Sequence, residues 1–149
     1  LAPPLAQARQ LILRFGSNPT AYQILNPGIR RWFSAQGDAV VGYVEAAGHW
    51  VVAGSPVCSP ARLAAVVEEL EEAARLEGRR ICYFGADSPL AVVLAARGPW
   101  DRLYLGAQPS WDPRRWAAIV AGKASLRAQL HRARNKGEKP ARCSRRPGQ

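Results

Sequence analysis

The sequence predicts an α/β domain with a mixed sheet flanked by helices. Three observations carry this: apolar residues at helical spacing near the N-terminus, a trio of short β-rich runs joined by tight turns, and apolar runs that then alternate with helical segments. At 149 residues the chain is long enough for one core that buries about 70% of the unfolded surface, without disulfide or metal staples.

Leu5, Ala8, Leu11, Ile12 and Phe15 recur at helical spacing after Pro3 and Pro4, and Gly16 supplies the stop, so a first helix is expected there. Beyond a loop with Pro19, Asn26, Pro27 and Gly28, the runs IRRWFSA, DAVVGYVEA and HWVVAG read as strands. Gln36-Gly37 and Ala47-Gly48 are the turns, and such short connections predict antiparallel pairing. From Pro60 to Glu77 a stripe of Leu63, Val66, Val67, Leu70, Ala74 and Glu77 follows the helical period, with Ser59 placed to cap it and Gly78 to end it. Glu68, Glu69, Glu71 and Glu72 lie off that stripe and read as a solvated face.

RRICYFGA then reads as a buried strand, Ser88 to Arg97 as a short helix, and DRLYLGAQ as a second buried strand, paired parallel with the first. Asp112-Pro113 opens a helix through Val120, and Lys123 to Lys136 forms another, ending at Gly137. The domain is expected to span 1–137. Residues 138–149, rich in Pro and Arg with almost nothing apolar, are expected to be a disordered basic tail.

Charge is distributed unevenly. Residues 1–112 hold 10 Lys+Arg against 10 Asp+Glu, whereas 113–149 hold 11 against 1, which accounts for the net +10. A neutral body with a basic end fits a phosphate-rich partner: RNA, DNA, anionic lipid headgroups or a nucleotide. In KASLRAQLHRARNKG, Leu126, Leu130 and Ala133 mark a packing side, while Lys123, Arg127, His131 and Arg134 line a neighbouring face that Arg132 and Lys136 widen. Lys123, Arg127, Arg132, Arg134 and Lys136 are the candidate phosphate-binding residues, because uncompensated charge of one sign on one helix repels itself and needs a reason. Arg114, Arg115 and Trp116 extend the rail from the preceding helix.

Other chemistry is poorly supplied. His49 and His131 are the only histidines and neither has an evident nucleophile or orienting partner, so no catalytic residue is assigned. Cys58, Cys82 and Cys143 lie far apart with no C-x-x-C spacing, which argues against zinc or a disulfide framework and points to the reducing cytoplasm. Cys58, just before a helix, reads as a small apolar filler rather than a reactive thiolate. The loop GSPVCS sits where backbone amides and a helix N-terminus could meet a phosphate. With one glycine and a proline it matches neither G-x-G-x-x-G nor G-x-x-x-x-G-K, and reads as a tight connection. No cofactor is called for. The tryptophans Trp32, Trp50, Trp100, Trp111 and Trp116 read mainly as packing residues, with Trp111 and Trp116 flanking the basic region.

Taken together, TAYQILNPGIRRWF, AVVGYV, WVVAGSPV, GRRICYFGA, LGAQPSWDP and KASLRAQLHRARNKG, which span most of 20–137, resemble the C-terminal domain of bacterial phosphatidylglycerol lysyltransferases of the multiple peptide resistance factor type. That resemblance implies a GNAT-like unit, the first of a tandem pair, in an enzyme that transfers an aminoacyl group, lysyl or similar, from charged tRNA to phosphatidylglycerol. Its implied partners are aminoacyl-tRNA, anionic phospholipid at the inner face of the cell membrane, and a second GNAT-like unit. The sequence differs from the family's usual residues at Ser55 and His131, and the resemblance transfers no catalytic residue. As a separate first half, the chain is expected to be inactive. The readings that compete with this one are a non-catalytic RNA- or DNA-binding module and a small acetyl-CoA-dependent acetyltransferase.

Overall fold

The structure, a computed structural model, describes residues 3–106 and 112–137. Contacts group the chain into two units, Leu1–Arg102 and Leu103–Gln149.

In the first unit, helix α1 (Pro3–Phe15) ends where Gly16 donates its amide to the Ile12 carbonyl at 2.8 Å. A 3-10 turn, Pro19–Leu25, follows, capped by Asn18, whose side chain accepts from the Thr20 amide at 2.9 Å. Strands β1 (Arg30–Phe33), β2 (Val40–Ala46) and β3 (His49–Ala53) pair antiparallel in chain order, with Trp32 opposite Val41 and Tyr43 opposite Val52. The β2–β3 turn is Ala47-Gly48, both at positive φ (48° and 75°), the twist that a two-residue hairpin needs. Helix α2 (Leu63–Leu76) then carries the chain to β4 (Arg80–Phe84), which pairs parallel with β3, so the four-stranded sheet is mixed with order β1-β2-β3-β4. Helix α3 (Ser88–Arg97) follows, capped by Asp87, which accepts from the Leu90 amide at 3.2 Å.

The sheet is covered on both faces because β2 is apolar at successive positions rather than alternating ones. Val40 packs with Ala8, Leu11, Ile12 and Ile24 of α1 and the 3-10 turn. Val41 and Tyr43 pack with Trp50, Val52, Leu70 and Ala74 on the α2 side. Gly42 has no side chain for a reason: a Cβ there would lie 2.8 Å from Ile24 Cγ1 and 3.0 Å from Ile29 Cγ2. Trp50, 1% exposed, stacks on Tyr43 with ring centroids 4.3 Å apart. Leu90 and Leu94 of α3 close a further cluster with Val67.

Three expectations are corrected. Ser59 makes no side-chain cap hydrogen bond: it precedes a 3-10 turn, Pro60–Arg62, and α2 itself begins only at Leu63. The glutamates of α2 are an ion-paired face rather than a merely solvated one: Glu69 pairs with Arg62 at 2.9 Å, Glu72 with Arg75 at 2.6 Å and Glu71 with Arg97 at 3.1 Å. DRLYLGAQ is not a buried strand over its described part. Residues 101–106 form no strand, and Leu103, Tyr104 and Leu105 are 86%, 85% and 73% exposed. A run of large apolar residues becomes a buried strand only with a ladder partner and two covering faces, and the parallel pairing lies at β3–β4 instead, bridged by α2. Gln108 of that run, with Ala107, lies outside the described residues, as does the 138–149 tail.

Arg62 ties the β1–β2 hairpin to α2. Its Nε donates to Asp38 Oδ2 and its Nη2 to Glu69 Oε1, both at 2.9 Å, while the Ser34 hydroxyl donates to Asp38 Oδ1 at 2.6 Å and the Ala35 amide to Glu69 Oε2 at 3.2 Å. The Ser34 hydroxyl first, and Arg62 second, hold the Asp38 carboxyl below the usual value of 3.8. A depressed folded pKa adds stability that is complete above 3.8 and disappears as pH falls through the folded value. We expect urea midpoints measured from neutral pH downward to decline less steeply below pH 3.8 in Asp38→Asn than in the parent chain. Equal acid slopes for the two chains would contradict this.

In the second unit, Asp112 accepts from the Arg114 amide at 3.0 Å and opens a 3-10 turn, Pro113–Arg115, that leads into α4 (Trp116–Gly122). Helix α5 (Ala124–Asn135) follows after Lys123, and Gly137, at φ 81°, lies just beyond its end.

Candidate anionic-ligand site

Helix α5 keeps only part of the expected pattern. Leu126 and Ala133 are half-buried, but Leu130, expected on the packing side, is exposed, as are Lys123, Arg127, His131, Arg132, Arg134 and Lys136. Among the described residues Lys123, Arg127, Arg132, Arg134 and Lys136 form no ion pair, and the second unit's single pair joins Arg114 to Asp112 at 3.7 Å. This contrasts with the first unit, where the acidic residues of α2 are matched by arginines. Arg132 and Arg134 in the last turn favour the helix dipole, which explains part of their placement, but the dipole acts only over that turn and leaves Lys123 and Arg127 unexplained.

Arg127 has a second role that the sequence did not reveal. Its Nη1 donates to the Val120 carbonyl at 3.4 Å and to the Ala121 carbonyl, closing the C-terminal end of α4. The guanidinium has further N–H groups for a phosphate. So the rail is four exposed cations with a fifth that also locks the α4–α5 turn.

The GSPVCS loop is a tight connection in which the Gly54 and Val57 amides are spent inside the protein. Gly54, at φ 78°, donates to the Phe84 carbonyl at 2.8 Å, and Val57 exchanges hydrogen bonds with Val40 at 2.9 and 3.0 Å. The Ser55 hydroxyl donates to Asp87 Oδ1 at 2.6 Å, which ties the loop after β3 to the loop after β4. Gly54 is required at this position because a Cβ would come within 3.2 Å of the Thr20 hydroxyl and the backbone is left-handed. Beside the loop, Phe15, Asn18, Thr20, Ala53, Ser55 and Val57 line a narrow cleft with room for about one water molecule.

Cys58 is 7% exposed, and burial first, with Asp38 nearby, pushes its thiol up to about 11. Cys82 is exposed, and Cys143 lies outside the described residues. In a chain with Cys82→Ser and Cys143→Ser, Cys58 should react with a thiol-specific disulfide reagent only as the protein unfolds. Prompt labelling at neutral pH in the folded chain would refute the packing role. Tyr83 is also pushed up, by burial and then by Glu71. His49 bonds the Ala47 carbonyl through Nδ1 at 2.8 Å, and among the described residues no His, Cys, Asp or Glu group is arranged to hold a metal. Trp32 is half-buried and Trp100 tilts over Tyr83 at 5.4 Å, Trp116 is 38% exposed, and Trp111 lies outside the described residues.

A mixed sheet with an antiparallel trio, a parallel fourth strand and helices on both faces defines this protein as a GNAT-like α/β unit. The chain belongs to the family described as phosphatidylglycerol lysyltransferase, C-terminal, whose model matches residues 9–144. Two solved structures are similar. One is the C-terminal domain of a putative lysylphosphatidylglycerol synthetase from Agrobacterium fabrum, with a TM-score of 0.57 and 22% identity over 63% of this chain. The other is L-PGS from Bacillus licheniformis, with a TM-score of 0.56 and 18% identity over 62% of this chain. The match spans only 29% of the length of either relative's chain. No curated protein sequence matches the chain. Among the described residues no helix is long and apolar enough to cross a membrane.

Proposed function

We propose that the chain is the first GNAT-like unit of an aminoacyl-tRNA-dependent transferase that moves a lysyl or similar group to phosphatidylglycerol at the cytoplasmic face of the membrane. In that reaction the ester to the tRNA ribose breaks, an ester to a glycerol hydroxyl forms, and the glycerol proton ends on the ribose oxygen. Lys123, Arg127, Arg132, Arg134 and Lys136 hold phosphates of the tRNA or the lipid. The observation that supports this reading is the cationic face of α5, which forms no ion pair among the described residues and lies inside the stretch matched by the family model.

This unit contributes binding rather than chemistry. Transfer to a hydroxyl needs a base or a preorganised electrostatic site for the developing charge, and the described residues assemble neither. Ser55 and Asp87 are in contact, but Asp87 is also the α3 cap and the pair joins two loops. A second GNAT-like unit completes the site. The acetyl-CoA reading loses support because two of the loop's amides, those of Gly54 and Val57, are already bonded to the Phe84 and Val40 carbonyls and Pro56 has none to offer.

Binding of charged tRNA to the full chain across a salt series tests the proposal. With about five phosphate contacts, a fourfold rise in salt should weaken binding about a hundredfold. Salt-insensitive binding, or formation of aminoacyl-phosphatidylglycerol by this chain unaided, would overturn it. Binding of uncharged RNA and charged tRNA with equal affinity, with no affinity for phosphatidylglycerol vesicles, would favour a plain nucleic-acid module instead.

A further inference from the structure

We propose that helix α4 (Trp116–Gly122) seats in the headgroup layer of an anionic bilayer, with Arg114, Arg115, Lys123 and Arg127 around it meeting lipid phosphates. The inference deepens the reading above, since it supplies the surface from which a lipid acceptor would be reached.

The helix reads WAAIVAG, and apart from the indole N–H of Trp116 it contains no polar side chain. A helix on a water-facing surface normally alternates an apolar stripe with a polar one. Here Ile119 and Val120 are half-buried, yet Ala117, Ala118, Ala121 and Gly122 are exposed and Trp116 is 38% exposed. Apolar surface is therefore presented to solvent around most of a helix that has no charged face to keep it there.

What surrounds the helix selects the occupant. Arg114 and Arg115 stand at its entry, Lys123 and Arg127 at its exit, and from Asp112 through Gly137 the one acidic residue is Asp112, which Arg114 meets at 3.7 Å. An apolar body with a tryptophan at its margin and cations at both ends has the composition of elements that lie in the interface of anionic membranes. A nucleic acid would use the cations but give the apolar helix nothing to do. The hydrogen bonds from Arg127 to the Val120 and Ala121 carbonyls add a second argument, because they satisfy backbone acceptors that would otherwise depend on water as the helix enters a drier layer.

Flotation of the full chain with vesicles tests the proposal, using equal parts phosphatidylglycerol and phosphatidylcholine against phosphatidylcholine alone, with tRNA binding measured in parallel. The chain should float with the anionic vesicles only. Arg114→Gln with Arg115→Gln should weaken vesicle binding about 25-fold, at about fivefold per charge near such a surface. Ala117→Glu with Ala118→Glu should abolish flotation, whereas the charge-matched Gln10→Glu with Gln23→Glu should not. If the Ala117/Ala118 chain loses helix by circular dichroism, quenching by brominated phosphatidylglycerol decides: the parent's tryptophan emission should be quenched and most of that quenching lost in Trp116→Phe. Absence of flotation by the parent, unaltered quenching in Trp116→Phe, or parallel loss of tRNA and vesicle binding in a folded Ala117/Ala118 chain would overturn the inference. Flotation without tRNA binding would leave it standing and remove the functional reading. Binding of tRNA without flotation would do the reverse.

Discussion

Leu70→Ala is expected to destabilise the first unit by about 3 to 5 kcal/mol, whereas Leu76→Ala, six residues on in the same helix, should change it by less than about 0.5 kcal/mol. The chemistry deleted is the same and the helix propensity gained is the same, so the difference isolates packing. Leu70 is 0% exposed and touches the cluster of Val41, Tyr43, Trp50, Val52 and Ala74, which joins three elements. Leu76 is 73% exposed at the last turn. A cavity at Leu70 would be walled by the stacked Tyr43–Trp50 pair, which is held by the β2–β3 ladder and has little freedom to collapse inward. Urea unfolding followed by tryptophan fluorescence reads the effect, with a midpoint shift of roughly 1 to 3 M for Leu70→Ala. Equal shifts for the two variants would mean that α2 does not dock through the face described.

That contrast is legible in the sequence, because a helical stripe is a statement about period alone. Leu63, Val66, Val67, Leu70 and Ala74 share a face whatever they pack against, and Leu76 falls off it. The β2–β3 hairpin was legible for a similarly local reason, since a connection as short as Ala47-Gly48 lets two adjacent strands pair only antiparallel. What the sequence hid was set by partners distant in the chain. The pairing of Arg97 with Glu71 spans 26 residues, and that of Ser55 with Asp87 spans 32. Leu103 to Leu105 misled because apolar character forecasts burial only when neighbours exist to supply it. The candidate site was half readable: the cationic row on α5 follows from spacing, but the use of Arg127 to close α4 depends on a turn at Lys123 whose geometry no periodicity reports.

Arg132→Gln with Arg134→Gln is expected to weaken tRNA binding on the order of 25-fold at 0.1 M salt and to lower the slope of log affinity against log salt by about 1.4. Each lost single-strand phosphate contact removes about 0.7 of slope, and at that salt about a fivefold share of affinity. Both side chains are exposed and make no ion pair among the described residues, so their removal leaves no carboxylate stranded and the fold should keep its urea midpoint. Arg127→Gln should behave differently. It removes a cation, but it also frees the Val120 and Ala121 carbonyls, so its loss of affinity should be accompanied by reduced helix content in the second unit. Lysine at 132 and 134 separates charge from geometry: restoring the slope without full affinity would show that the guanidinium fork grips phosphate oxygens in pairs. An unchanged slope in the double Gln chain would place the phosphate contacts elsewhere and remove α5 from the binding surface.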